Sequence, residues 1–439
     1  MAASHLVCQE LCSNMDAKVV SIASAPGKVI LFGEHAVVYG TTAISAALSD
    51  LRIYVSIESS AGLDQIEVYL HDLKTPGEEA PAPWVVSYGL LSKLCGACER
   101  TTLTMAENPT ETDLMPMRQE FVGMSLQASQ GLMAICFLVS RLAPELVKDR
   151  VGLCINVKSI GLPIGAGLGS SAAFSVALSA ALMQLRQKLF ADVVEGDQAS
   201  VGAAAVCKTN GDKTSPETIF KMGATHTLYS HTPPPSVLTA INAWAYAAEV
   251  VIHGAPSGLD NTTSCFGGAL KYDRNSGKFE TMAKLPDIQI LLTNTKVPRS
   301  TKQLVAGVRA LHDKVPKVVK PIFDSIEGIS QRFLEILAEG AARSNEELVE
   351  EIGTLFRINQ DLLNAIGVGH AALTAVASTS QEQDFPCKLT GAGGGGCAIT
   401  LLRNDPGSQA KVDLLKERLS ELGFETFHSA IAGDGVKWH

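Results

Sequence analysis

Hydrophobic residues change their period several times along the chain, and each change marks an element. Val, Ile and Ala crowd residues 18–25, which predicts a strand. Pro26-Gly27 predicts a turn, and Lys28–Phe32 a second short apolar run that stops at Gly33-Glu34-His35. Residues 51–57 set Arg52, Tyr54 and Ser56 against Ile53, Val55 and Ile57, the period of a strand with one covered face. Ile66–Leu70 reads as another strand. From Ser125 to Leu142 the period lengthens to that of a helix. Val151–Val157 predicts a strand that runs into a glycine-rich stretch. Ala172–Leu189 follows as a helix with little charge until Arg186, as expected for a buried one. Ala240–Ile252 predicts a helix stopped at His253-Gly254. Gly267–Tyr272 and Phe279–Ala283 read as paired strands, and Ile288–Thr293 as a further strand. Residues 301–377 are mostly helical in pattern. A second glycine cluster leads into a strand at Cys397–Leu402, and a helix (Val412–Leu422) and a strand (Thr426–Ala432) follow.

Strands and helices mix here without regular βαβ repetition, which predicts an α+β architecture. The expected organisation is a poorly ordered leader at 1–17, a first domain at 18–286 and a second at 287–439. The irregular stretch 190–236, with Pro233-Pro234-Pro235, is expected as a surface insertion in the first domain.

Composition narrows the function classes. The 439 residues are 46% hydrophobic and 18% charged, a globular balance. A net charge of −9 argues against a general nucleic-acid binder or a basic membrane-surface protein. No signal-peptide pattern and no uninterrupted bilayer-length apolar run is expected. Ten cysteines lie scattered, many in apolar runs, and the single C-x-x-C at Cys95–Cys98 lacks partners for a zinc site. Reduced thiols and a cytoplasmic location are the expectation, with a peroxisomal one left open.

The candidate chemistry starts at Gly165-Ala166-Gly167-Leu168-Gly169-Ser170-Ser171. Such a loop, placed just before a helix, turns backbone N–H groups toward one point and adds the positive end of the helix dipole, which suits phosphate. The same residues also describe an ordinary capped turn. Neither a Walker loop nor the protein-kinase motifs occur, and Gly391–Gly396 fits G-x-G-x-x-G without the helix that a dinucleotide site needs after it. Ser171 could offer its hydroxyl to a metal on phosphate, with Glu249, an acid in an otherwise uncharged helical run, as the carboxylate partner. Asp260, after Pro256-Ser257-Gly258, is either a turn cap or a carboxylate fixed to accept a proton. Lys28 is either a solvated strand-end lysine or its cationic partner. His35 carries no metal-site spacing; a lone histidine is more often structural, and binding of a polar or anionic substrate group is the alternative.

Together these stretches resemble the GHMP small-molecule kinase family. Three motifs stand in the family's order: Ala25-Pro26-Gly27-Lys28 leading to Gly33-Glu34-His35, then Pro163 to Ala172, then Lys388 to Cys397. Gly33–Gly40, Ile252–Asn261, Leu292–Arg299 and Gly367–Ala371 are most similar to the branch that acts on mevalonate. The resemblance implies an N-terminal domain like domain 2 of ribosomal protein S5, an α+β C-terminal domain and a site between them. It implies ATP-dependent phosphorylation of the C5 hydroxyl of (R)-mevalonate in isoprenoid and sterol precursor synthesis. It further implies Gly165 to Ser171 (including Ala166, Gly167, Leu168, Gly169 and Ser170) and Lys28 on ATP, Ser171 and Glu249 on Mg²⁺, and Asp260 and Lys28 as catalytic groups. Glu34, His35 and Thr301 fall on the substrate side. A homodimer and feedback inhibition by prenyl diphosphates belong to the same expectation, as do a sibling kinase acting on phosphomevalonate and a non-catalytic sensor as rivals.

Overall fold

A computed structural model describes residues 19–60, 65–73, 82–95, 106, 108–190, 230–282, 288–339, 345–403, 405 and 407–439. The leader, most of the expected insertion and the 286/287 boundary lie outside the described residues.

Two sheets organise the chain. The first is built from β1 (Val20–Phe32), β2 (Thr42–Ser60), β3 (Ile66–Leu70), β4 (Trp84–Val86), β5 (Gly152–Ile160), β6 (Ala269–Asp273), β7 (Lys278–Thr281) and a C-terminal strand described below. β2 is its spine. It pairs antiparallel with β1, with β5 through its second half and with β6 through its first. β3 joins β5 in parallel and carries β4 on its other edge. The second sheet is antiparallel and comprises β8 (Gln289–Asn294), β9 (Cys387–Leu389), β10 (Cys397–Leu401) and β11 (Glu425–Ala430), in the order β11-β8-β10-β9. The last strand, β12 (Lys437–Trp438), returns to the first sheet and pairs with β1.

The first strand departs from the expected pair of runs with a turn. β1 continues through Pro26-Gly27, and only its register with β2 shifts between Pro26 and Lys28. A Cβ on Gly27 would stand 2.4 Å from Leu162 Cδ1 and 2.9 Å from the Leu168 carbonyl oxygen. Glycine is therefore required by close approach, and the kink is a bulge within one strand. β2 likewise runs well beyond Leu51–Ile57. Its first half (Ala43, Ile44, Ala46, Ala47, Leu48) is buried on both faces, so no alternation announces it.

The Ser170–Phe190 helix lies against β1 and β2, flanked by the Leu126–Leu142 and Pro235–His253 helices. Ala, Val and Leu occupy nearly all its faces, and it is buried from Ala172 to Leu185. The Pro235–His253 helix is long and apolar enough to cross a bilayer by composition. In this fold Trp244, Ala247 and Ala248 on it are packed inside. The main core runs without a break into the second sheet, and Phe32 of β1 meets Phe333 and Phe356 of the Pro316–Glu339 and Asn345–Ala365 helices at ring-centroid distances of 5.1 and 5.6 Å. A second cluster, around Val308, Phe323, Leu363 and Leu415, fills the space between the second sheet and its helices.

Candidate active site

The bulge at Gly27 delivers Lys28 to the glycine loop. Lys28 N–H donates to the Leu168 carbonyl at 2.8 Å. Gly165, Gly167 and Gly169 all take positive φ (76°, 85° and 72°), the alternation that points successive N–H groups to one side. The loop ends at the first turn of the Ser170–Phe190 helix, where unpaired N–H groups and the positive dipole end add to it. Leu168 is fully buried and Ala166 nearly so. These two contribute backbone, and their side chains anchor the loop to the core.

Asp260 lines, with the loop, a cavity of about 660 Å³. It lies in the first turn of the Leu259–Phe266 helix, entered through Gly258 at φ 81°. Its Oδ1 is 3.0 Å from Lys28 Nζ. The two elements are also tied directly, since Ser264 Oγ donates to the Pro26 carbonyl at 2.7 Å. The Lys28 side chain is 8% exposed and that of Asp260 40%, so the lysine is fixed in the wall and the carboxylate faces the open space.

Glu249 belongs to the same cavity end. It is buried, not a solvated helix glutamate, and its carboxylate bridges two hydroxyls one helical turn apart: Ser171 Oγ at 3.2 Å and Ser175 Oγ at 3.0 Å. Burial, with the Asp260 charge adding to it, raises the Glu249 pKa to about 8, and the two serine hydrogen bonds and Lys28 offset only part of that. His253 closes the group, its Nε2 3.0 Å from Ser171 Oγ, and burial lowers its pKa.

The structure brings Lys28, Gly165, Gly167, Gly169, Ser170, Ser171, Asp260 and Thr301 to the cavity wall, with Glu249 directly behind Ser171. Glu34 and His35 do not line it. Glu34 is sealed beneath, ion-paired with Lys388 and accepting from Asn359 Nδ2 at 3.2 Å. His35 Nε2 donates to the carbonyl of Ala392, a wall residue, at 2.8 Å. A carbonyl only accepts, so Nε2 carries the proton, and the buried Nδ1 has no partner. Desolvation lowers the His35 pKa and keeps the ring neutral at physiological pH.

Arg299 was given no role by the sequence. It lines the cavity between the two glycine clusters, its Nη2 3.4 Å from the Ala166 carbonyl and its buried Nη1 without a partner. Its signal was present in the Leu292–Arg299 run, but nothing local distinguishes a site arginine from a surface one. His253 and Ser175 were missed for a similar reason: the first reads as a helix stop and the second as a small core residue.

The description GHMP kinases N terminal domain matches residues 134–211. The chain is 37% identical over 425 residues to the mevalonate kinase of Mus musculus, covering 95% of each chain. It is 32% identical to that of Arabidopsis thaliana, covering 94% of this chain and 98% of the relative. Solved structures of similar shape include Methanococcus jannaschii mevalonate kinase (TM-score 0.62, 23% identity, 93% of this chain and 98% of the other). Lactococcus lactis galactokinase complexed with galactose is also similar (TM-score 0.59, 15% identity, 98% and 99%). Likeness at that identity shows the α+β GHMP kinase fold and does not separate one substrate from another. The near-full-length sequence identity does separate them, and with it this chain belongs to the mevalonate kinase family of GHMP kinases.

Proposed function

We propose that the chain transfers the γ-phosphoryl group of ATP to the C5 hydroxyl of (R)-mevalonate, giving 5-phosphomevalonate and ADP in isoprenoid precursor synthesis. The observation that carries the assignment of roles is the Lys28–Asp260 pair, 3.0 Å apart and lining the same cavity as the glycine loop. In this reading Asp260 accepts the hydroxyl proton as the oxygen bonds to the γ-phosphorus and the bond to the ADP oxygen breaks. Lys28 orients that carboxylate and places positive charge beside the transferring group. The loop N–H groups and the N-terminus of the Ser170–Phe190 helix hold the triphosphate. Such transfer depends chiefly on positioning and charge neutralisation, which these groups supply.

Ser171 and Glu249 are suited to hold Mg²⁺. Their oxygens meet at 3.2 Å behind the loop, and Mg²⁺ prefers oxygen donors while keeping waters and phosphates for the rest of its shell. Among the described residues no group of three or more His, Cys, Asp or Glu forms a self-contained metal centre, and a metal carried on a nucleotide needs none. When bound, the ion neutralises phosphate charge. Competition of prenyl diphosphates with ATP is carried over from the resemblance. A homodimer and a cytosolic location rest on the resemblance and composition alone.

The test is ADP release measured with mevalonate, phosphomevalonate, homoserine and galactose. Turnover is expected with mevalonate and Mg²⁺, and its loss on chelation. Asp260→Asn is expected to keep ATP binding while kcat falls by ~10²–10⁴. A near-wild-type kcat in that variant removes the base role, and ATP binding without turnover of any of the four alcohols removes the enzymatic reading.

A further inference from the structure

Lys388 takes no part in the mechanism above, yet it is the most thoroughly enclosed cation among the described residues. Its side chain is 0% exposed. It is ion-paired with Glu34, its Nζ donates to the Leu389 carbonyl at 2.7 Å, and the rings of Phe32 and Phe356 lie 5.9 and 5.7 Å from it. Burial lowers the pKa of this ammonium and Glu34 draws it back up. A pair so enclosed contributes little net stability, because desolving two charges offsets their attraction. Its placement is the informative part.

Lys388 opens a segment that faces the first sheet at every second residue. Lys388 holds Glu34. Thr390 Oγ1 donates to the Ile30 carbonyl and accepts from Ile30 N–H, each at 3.0 Å, as a neighbouring strand would. The Ala392 carbonyl accepts from His35. These three contacts grip Ile30 to His35, the stretch that follows Lys28. Within it, His35 has φ 59° and ψ −45°, a backbone conformation that L-residues rarely adopt. Such a conformation persists only where the surroundings over-determine it. Glu34, fixed on one oxygen by Lys388 and on the other by Asn359, is immediately next to it.

We infer that Lys388 is a positioning residue for the reaction: through its buried ion pair with Glu34 it holds the Gly33–His35 turn in the strained form that sets His35 against Ala392 on the substrate side of the cavity. This rests on reading that turn as the mevalonate-side element, so wild-type turnover of mevalonate is measured first, and its absence overturns the reading and this inference together. Lys388→Met is then compared with wild type by steady-state kinetics and thermal unfolding. The KM for mevalonate is expected to rise roughly tenfold or more, as small misplacements of a substrate-orienting group do. The KM for ATP should change less than about threefold, because the ion pair, hydrogen bond and ring contacts of Lys388 go to Glu34, Leu389, Phe32 and Phe356 and not to the Gly165–Ser171 loop. The double variant Glu34→Gln/Lys388→Met removes both charges. Its melting temperature is expected to recover toward wild type while its KM for mevalonate stays raised. If KM for mevalonate is unchanged in Lys388→Met, or recovers with stability in the double variant, the pair is a fold staple and the inference fails. Should Lys388→Met not fold, Glu34→Gln alone carries the same comparison of the two KM values.

Discussion

At the scale of single residues, Glu249 shows how context decides what a side chain is. Alone in an apolar helical run it reads more readily as an exposed helix glutamate. Buried between Ser171 and Ser175 it becomes a carboxyl with a pKa of about 8. The sign of the consequence follows from linkage. A raised acid pKa means that the folded state holds the proton more tightly than the unfolded one. The group's stabilising contribution is complete below the unfolded carboxyl range, declines as pH rises toward 8 and is lost above it. At ~1.4 kcal/mol for each pH unit of displacement from the ordinary value of 4.5 the whole effect is on the order of 5 kcal/mol. Metal-free wild type should therefore lose stability between about pH 5 and pH 8. Glu249→Gln, neutral throughout, should show a flatter profile. Calorimetric melting of both proteins across that range checks this, and parallel profiles would contradict it. Lys28, Ser171 and Asp260 were legible as residue types at plausible spacings. Their residue types alone left the bland readings standing, for Asp260 as the default, because the partner each one meets comes from a distant part of the chain.

At the scale of elements, the glycine loop was readable as a loop and its surroundings were not. Gly165 and Gly167 have similar positive φ, so alanine at either position carries a similar backbone strain of about 1–2 kcal/mol. Their surroundings differ. A Cβ at Gly167 would stand 1.6 Å from Arg299 Nη2, whereas at Gly165 the nearest atom is Gln127 Nε2 at 3.7 Å. Gly167→Ala is therefore expected to cost more stability than Gly165→Ala and to raise the KM for ATP further as the loop or Arg299 is displaced. Urea midpoints and ATP titrations of the two variants make the comparison, and equal effects would rule out the steric argument. The elements the sequence placed well, such as Ser170–Phe190 and Gln289–Asn294, are those whose apolar pattern is long or bounded by turn residues. Those it placed poorly, the continuous β1 and the long β2, are buried on both faces or bulged, and neither condition leaves a clean period.

At the scale of the whole molecule, the chain closes on its own beginning. Trp438 in β12 is buried at 4% exposure, donates from Nε1 to the Ala180 carbonyl at 2.9 Å and sits on the strand that pairs with β1. Arg52 fastens the approach, donating to the carbonyls of Asp434 and Gly435 at 3.0 and 2.7 Å. Trp438→Ala is expected to destabilise by about 3–5 kcal/mol, the range for emptying a large buried ring site. Urea denaturation measures it, and a loss under about 1 kcal/mol would show the tail to be an accessory. Nothing in the final residues of the sequence announces this, because a two-residue strand has no period to read. The sequence by itself determined the α+β class, most of the helices and the chemical types of the site residues, since local spacing and residue chemistry carry that information. Through the order of its motifs it also determined the family. Tertiary structure alone decided that Lys28 meets Asp260, that Glu249 is enclosed behind Ser171, that Glu34 turns away from the cavity to Lys388, and that Arg299 stands between the two glycine clusters. Each of these is a meeting of residues far apart in the chain, fixed by how strands register and helices pack, and no local pattern encodes such a meeting.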